Sequence, residues 1–178
     1  MHPENPEASI IYTADGKVMG KFFDENRQSV VYDSINNNFF QALVSTEDER
    51  FFSHNGIDFK GLVAAAKDAT QGHARGASTI TQQLVKNMFR IRSNSQYGTG
   101  LVGKIPGVGI VIMKTKEMAI AVQLEMLNEK DSILMMYANT VDFGSNAFGI
   151  KTAAKTYFNK APSELKIEES AVLVGLLK

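Results

Sequence analysis

Apolar residues at three- and four-residue steps recur along most of this chain, a period that dictates a mainly α fold. Phe39, Phe40, Leu43 and Val44 open the pattern. Asp58 can cap a following helix that carries Phe59, Leu62, Val63 and Ala66 on one side and ends at Gly72. A third helix opens in "ASTITQQLVKNMFR", where Thr79 and Gln82 have capping-box spacing and Ile80, Leu84 and Met88 form the stripe. The period resumes through "KTKEMAIAVQLEML", "DSILMMYAN" and "AFGIKTAAKTYF", with turn-like "DFGSN" and "NKAPS" between them.

Two regions break the pattern. Residues 10–32 hold two short runs rich in β-branched and aromatic residues, "SIIYTADGKVMGKFF" and "QSVVYDSI", the first interrupted by the hairpin signal Asp15-Gly16. Residues 91–109 contain Gly98, Gly100, Gly103, Gly107, Gly109 and Pro106 but too few polar residues for a plain linker, which predicts an apolar, glycine-rich loop. That loop is too short and too central to divide two domains. The expected layout is an extended β segment over 1–36 and a helical core over 37–178.

With 178 residues, 44% of them hydrophobic and 21% charged, the chain can bury a substantial core. Nineteen basic residues balance nineteen acidic ones, so no overall field favours nucleic acid, and an anionic ligand must be held by local charges. The absence of cysteine excludes disulfides and thiolate metal sites. No run of apolar residues is long enough to span a bilayer, and "MHPENPEASIIY" lacks the features of a signal peptide. The final "ESAVLVGLLK" stops within a helical pattern, so a longer parent chain is expected.

Three clusters carry candidate chemistry. In "EDERFFSHNG" the charges of Glu47, Asp48, Glu49 and Arg50 lie between "FFQALV" and "RFF". A run of this kind is ordinarily a solvated helix face. Here both flanks read as core, so at least one carboxylate is expected at a boundary of reduced solvation, where a general base can work. His54 has no second histidine at metal-binding spacing. In "RGASTITQQLVKN", Gly76, Ala77 and Ser78 would let an anion approach the amides of a helix N-terminus, while Gln82 with Lys86 and Gln83 with Asn87 share faces suited to a sugar or a phosphate. In "MKTKE", Lys114 and Glu117 stand one turn apart, which alone describes a surface ion pair.

The order of "EDERFFSHNG", "GASTITQQLVKN", "KTKE", "SILMMYAN" and "GIKTAAKTYFNK" resembles the five motifs of the peptidoglycan glycosyltransferase domain found in bifunctional penicillin-binding proteins and single-function transglycosylases. The resemblance covers roughly residues 40–175. It implies a lysozyme-like, mainly helical fold and the polymerisation of lipid II into β-1,4-linked glycan, with inversion and release of undecaprenyl pyrophosphate. By the same resemblance Glu47 is the general base, and Lys86 and Lys114 stand near the donor phosphates. Ser78, Thr79, Gln82, Gln83 and Asn87 form the polar lining. A divalent cation, Mg²⁺ or Mn²⁺, is implied as cofactor, and Glu117, the family's second important glutamate, either positions that cation or orients a basic residue. Asp48, Phe51, His54 and Gly56 shape the cleft around Glu47, with Tyr137 and Asn139 from the fourth motif. Gly149, Ala153, Ala154, Tyr157 and Phe158 are expected to pack.

Two departures from the family pattern stand out. Met113 occupies a position where arginine is usual, and Arg90 or Arg92 are candidates to replace that charge. The segment between Asn87 and Lys114 is long, and "LVGKIPGVGIVIM" suits either contact with a membrane surface or an insertion covering the cleft. The implied partners are lipid II, the nascent glycan and the membrane surface, reached through the 91–113 loop and an anchor before Met1. A transpeptidase domain is expected after Lys178, and the implied location is the extracytoplasmic, periplasmic face of the bacterial cell membrane. The rivals are a lysozyme-like lytic transglycosylase, which needs no phosphate-binding lysines, and a non-catalytic glycan- or partner-binding module.

Overall fold

The computed structural model describes residues 7–23, 25–73, 76–89 and 108–177. They form two compact units, one made of the residues up to Leu43 together with those from Leu134 on, the other of Val44–Ile133.

In the first unit β1 (Ser9–Tyr12) and β2 (Val18–Phe22) pair antiparallel, with Ser9 opposite Phe22 and Ile11 opposite Gly20. The turn falls at the expected Asp15-Gly16. Gly16 takes φ +78°, and the Thr13 hydroxyl bonds the Asp15 carboxylate. The second β-rich run does not become a strand of a hairpin. The next strand, β3 (Asn26–Arg27), lies just before that run, and it runs parallel to β4 (Ala147–Phe148). Beyond it, a side-chain amide replaces the partner strand. Val30 N–H donates to Asn139 Oδ1 at 3.0 Å, and Asn139 Nδ2 donates to Val30 O at 2.8 Å. The chain then closes into a 3-10 turn at Tyr32–Ser34, with the Tyr32 ring stacked on Phe40 at 4.5 Å.

The core of this unit comes from helical stripes. Phe39, Phe40 and Leu43 of α1 (Asn37–Glu47), Tyr137 and Ala138 of α5 (Lys130–Thr140), Ile150, Ala153 and Ala154 of α6 (Ile150–Phe158), and Leu173 and Val174 of α7 (Ile167–Gly175) are all buried. α6 starts three residues later than its sequence period suggests, because Ala147 and Phe148 are extended in β4. Gly149 turns the chain at φ +78°, where a Cβ would stand 2.9 Å from the Asn139 carbonyl oxygen.

The second unit takes the last turn of α1, a 3-10 turn at Phe51–Ser53, α2 (Phe59–Thr70), α3 (Ile80–Phe89), α4 (Val108–Leu127) and the start of α5. Asp58 caps α2 as expected, accepting from Gly61 N–H at 2.9 Å, and none of the α2 residues is buried. α3 packs on α4 through Val85 and Ala121, with Phe89, Met113, Ile120 and Leu124 around them. The same stripe of α4 carries Glu117, four residues from both Met113 and Ala121, so this acid is drawn into the helix contact. Residues 108–113, which the sequence pattern places in or beside the glycine-rich loop, form the start of α4. The rest of that loop, with Arg90 and Arg92, lies outside the described residues. Among the described residues no helix is long and apolar enough to cross a membrane.

Candidate active site

Glu47 is the last residue of α1 and is half-buried. Gln83 of α3 donates from Nε2 to Glu47 Oε2 at 2.7 Å. An ionised carboxylate offers about four lone-pair directions. A neutral amide occupying one of them fixes the group without discharging it. Asp48, the next residue, is buried and serves another purpose. Its Oδ1 and Oδ2 lie 3.0 and 3.1 Å from His54 Nε2, and Oδ2 also accepts from Ile80 N–H, the first amide of α3, at 3.0 Å. An ionised carboxylate only accepts, and with Asp48 in that form His54 Nε2 is the donor. Phe51, fully buried, meets the His54 ring edge-on at 6.2 Å.

Gly56 closes this loop against α4. It adopts φ +85°, and a Cβ there would lie 2.8 Å from the Ala121 carbonyl carbon. Its own carbonyl accepts from Thr79 Oγ1 at 2.8 Å and from Gln82 Nε2 at 3.1 Å. Thr79 and Gln82, expected to line a ligand, are only 2% and 1% exposed and work instead as struts. Thr79 Oγ1 also caps α3 by accepting from Gln82 N–H at 3.2 Å, one half of the expected capping box. The other half does not form: Gln82 Nε2 donates to the Gly56 carbonyl, and Gln82 Oε1 accepts no hydrogen bond. At the start of α3 two amides are already engaged, Ile80 N–H by Asp48 and Gln82 N–H by Thr79.

The cationic side rests on α4. Lys114 Nζ donates to Ser78 Oγ at 2.9 Å and to Glu117 Oε2 at 3.0 Å. The carboxylate side chain is 1% exposed and the lysine 27%, so Glu117 anchors an ammonium that still reaches solvent. An ammonium has three donors, and two are accounted for here. Lys86 and Asn87, both half-buried, sit toward the end of α3. Tyr137 and Asn139 belong to the other compact unit, where Tyr137 is buried and Asn139 spends its amide on Val30.

Beside the motif residues stand partners that spacing does not reveal. Arg50 Nε and Nη2 both donate to Asp58 Oδ2, at 2.9 and 2.6 Å. The Arg50 hydrogen bond holds the Asp58 carboxyl below its ordinary range and raises that of the guanidinium. Lys130, at the start of α5, pairs with Glu125 Oε2 at 2.7 Å, and Thr81 Oγ1 donates to Glu125 Oε1 at 2.5 Å. Lys130 and Glu125 are five apart across the break between two helices, so no helix-face rule would join them.

A divalent cation fits this donor set only in part. Among the described residues no three His, Asp or Glu side chains converge to hold one. Glu117, at the lysine end, is engaged with Lys114. A hard cation there would need oxygen ligands beyond those that these side chains supply.

The domain is mainly helical and carries a glutamate held by Gln83 and a buried glutamate paired with a partly exposed lysine, and the chain belongs to the transglycosylase family, whose model matches residues 15–178. It is 37% identical over 170 residues to penicillin-binding protein 1A of Escherichia coli strain K12, covering 94% of this chain and 18% of that relative. It is 36% identical over 180 residues to penicillin-binding protein 1A of Clostridium tetani, covering 97% and 21%, and 35% identical over 173 residues to penicillin-binding protein 1F of Bacillus subtilis strain 168, covering 96% and 22%. The chain spans about a fifth of the length of these curated relatives.

Proposed function

We propose that this domain polymerises lipid II into peptidoglycan glycan strands. One observation carries the reading: residues 78–83 touch both functional ends, Ser78 bonding the Lys114 ammonium and Gln83 the Glu47 carboxylate. In the reaction the 4-hydroxyl of the acceptor N-acetylglucosamine gives its proton to Glu47 and its oxygen bonds to C1 of the donor N-acetylmuramic acid. The bond from C1 to the pyrophosphate oxygen breaks with inversion, and undecaprenyl pyrophosphate leaves with the electron pair. A sugar alcohol needs a base at neutral pH, whereas a pyrophosphate leaves as an anion and needs opposing charge. Glu47 suits the first need and the partly exposed Lys114, with Lys86, the second.

Mg²⁺ or Mn²⁺, held chiefly by the substrate's own phosphates with Glu117 nearby, would add charge stabilisation when bound. The donor's lipid tail assigns the enzyme to the extracytoplasmic membrane surface, approached through the 91–113 region. The length of the relatives supports a further domain in the parent chain, read here as a transpeptidase. A lytic enzyme has no use for the Ser78–Lys114–Glu117 arrangement and is not favoured. The test is incubation of labelled lipid II with the chain, with Mg²⁺ and with chelator. Glycan polymer and free undecaprenyl pyrophosphate, reduced by chelator, are expected. Unchanged lipid II, or soluble fragments from preformed glycan, would overturn the proposal.

A further inference from the structure

Behind Glu47 the polar contacts close into a ring. Lys130 Nζ donates to the His54 carbonyl oxygen at 2.7 Å and pairs with Glu125 Oε2 at 2.7 Å. The His54 ring bonds Asp48, Asp48 accepts from Ile80 N–H, and the next residue, Thr81, donates to Glu125 Oε1. The circuit therefore runs Lys130, His54, Asp48, Ile80, Thr81, Glu125 and back to Lys130. The Lys130 ammonium also lies 4.2 Å over the Phe51 ring. From this geometry we infer that Lys130 and Glu125 are positioning residues for the catalytic glutamate. The inference rests on the proposed reaction and names residues outside the motif clusters that suggested it.

The ring touches Glu47 from two directions. Asp48 is its neighbour in the chain, and Ile80 and Thr81 open the helix from which Gln83 grips Glu47 Oε2. A shift of the start of α3 would move the amide that sets the carboxylate. The Glu125 side chain is 3% exposed and that of Lys130 22%. A buried pair of this kind gives little net stability over an apolar pair of the same volume, yet it fixes geometry, and losing one partner strands the other charge. Its two ends hold the loop after α1 and the first turn of α3 in one register.

The test separates positioning from stability. In Lys130→Met the Ile80 amide should exchange with solvent about 10-fold faster or more, as its Asp48 acceptor loosens. kcat for lipid II should fall about 10- to 100-fold with KM within about 3-fold. Adding Glu125→Gln removes the stranded charge. The double variant should regain most of the lost melting temperature while kcat stays low. Recovery of kcat in step with melting temperature, or an Ile80 exchange rate equal to that of the parent, would refute a positioning role. Exchange needs no lipid II, so a parent that does not polymerise would count against the proposed reaction, and the ring would still be judged on the Ile80 amide.

Discussion

Replacing Gly56 by alanine tests the tightest contact in the site. The residue sits at φ +85°, where an L side chain costs about 1–2 kcal/mol. The added Cβ would stand 2.8 Å from the Ala121 carbonyl carbon, 2.9 Å from its oxygen and 3.0 Å from Val122 N. All three are backbone atoms inside α4, so no flexible side chain can yield, and the loop must lift from the helix. Forced overpacking of this kind costs about 1–3 kcal/mol. The sum is about 2–5 kcal/mol. For a chain of this size each kcal/mol moves the melting temperature by about 2–4 °C, so a drop of about 4–20 °C is expected. Thermal unfolding followed by circular dichroism reads it directly. Gly76→Ala is the control, because nothing lies within 4 Å of a Cβ there. It should stay within about 0.5 kcal/mol of the parent. A Gly56→Ala protein melting within about 2 °C of the parent would refute the close approach and, with it, the role of the Gly56 carbonyl in aligning Thr79 and Gln82.

Other consequences are as concrete. The hydrogen bond from Arg50 holds Asp58 below its ordinary pKa of 3.8, so its contribution is fully present above that value and is lost as pH falls through the lowered one. The melting-temperature gap between the parent and Asp58→Asn should therefore be constant from about pH 7 to pH 5 and shrink on further acidification; a gap that widens in acid would reverse the sign. Lys114→Gln removes a charged donor worth about 1.5–3 kcal/mol to a phosphate, predicting a loss of about 10- to 100-fold in kcat/KM for lipid II. Steady-state kinetics showing less than about 3-fold would remove Lys114 from the phosphate site.

The helices were legible because their apolar period is local. Ile80 and Leu84 of the expected stripe are buried while its third member, Met88, is half-buried, and Asp58 caps where its position before Phe59 indicates. What escaped the sequence depends on contacts between distant residues. Val30 reads as strand by composition, but its backbone is satisfied by an amide 109 residues away. Helical spacing in "AFGIKTAAKTYF" runs on through Ala147, yet Gly149 cannot turn into α6 without first ending β4. The motif residues of the first two clusters do come together, Glu47 with Gln83 and Asp48 with Ile80. Their spacing gave no hint that Gln82 and Thr79 face inward to Gly56 while Gln83 alone turns to the carboxylate. Lys130 and Glu125 carried no spacing signal at all, since their pairing depends on the angle between α4 and α5.

The general base is the centre of the proposed mechanism. Glu47→Gln keeps the volume and an oxygen for the Gln83 amide but cannot take up a proton. Polymerisation of labelled lipid II by this variant, measured beside the parent in protein with the same circular dichroism spectrum and melting temperature, is the most direct test. A fall of about 10²- to 10⁴-fold in the initial rate is expected from the loss of general-base catalysis. A folded variant that polymerises within about 3-fold of the parent would contradict the assignment of Glu47 and the reaction scheme built on it.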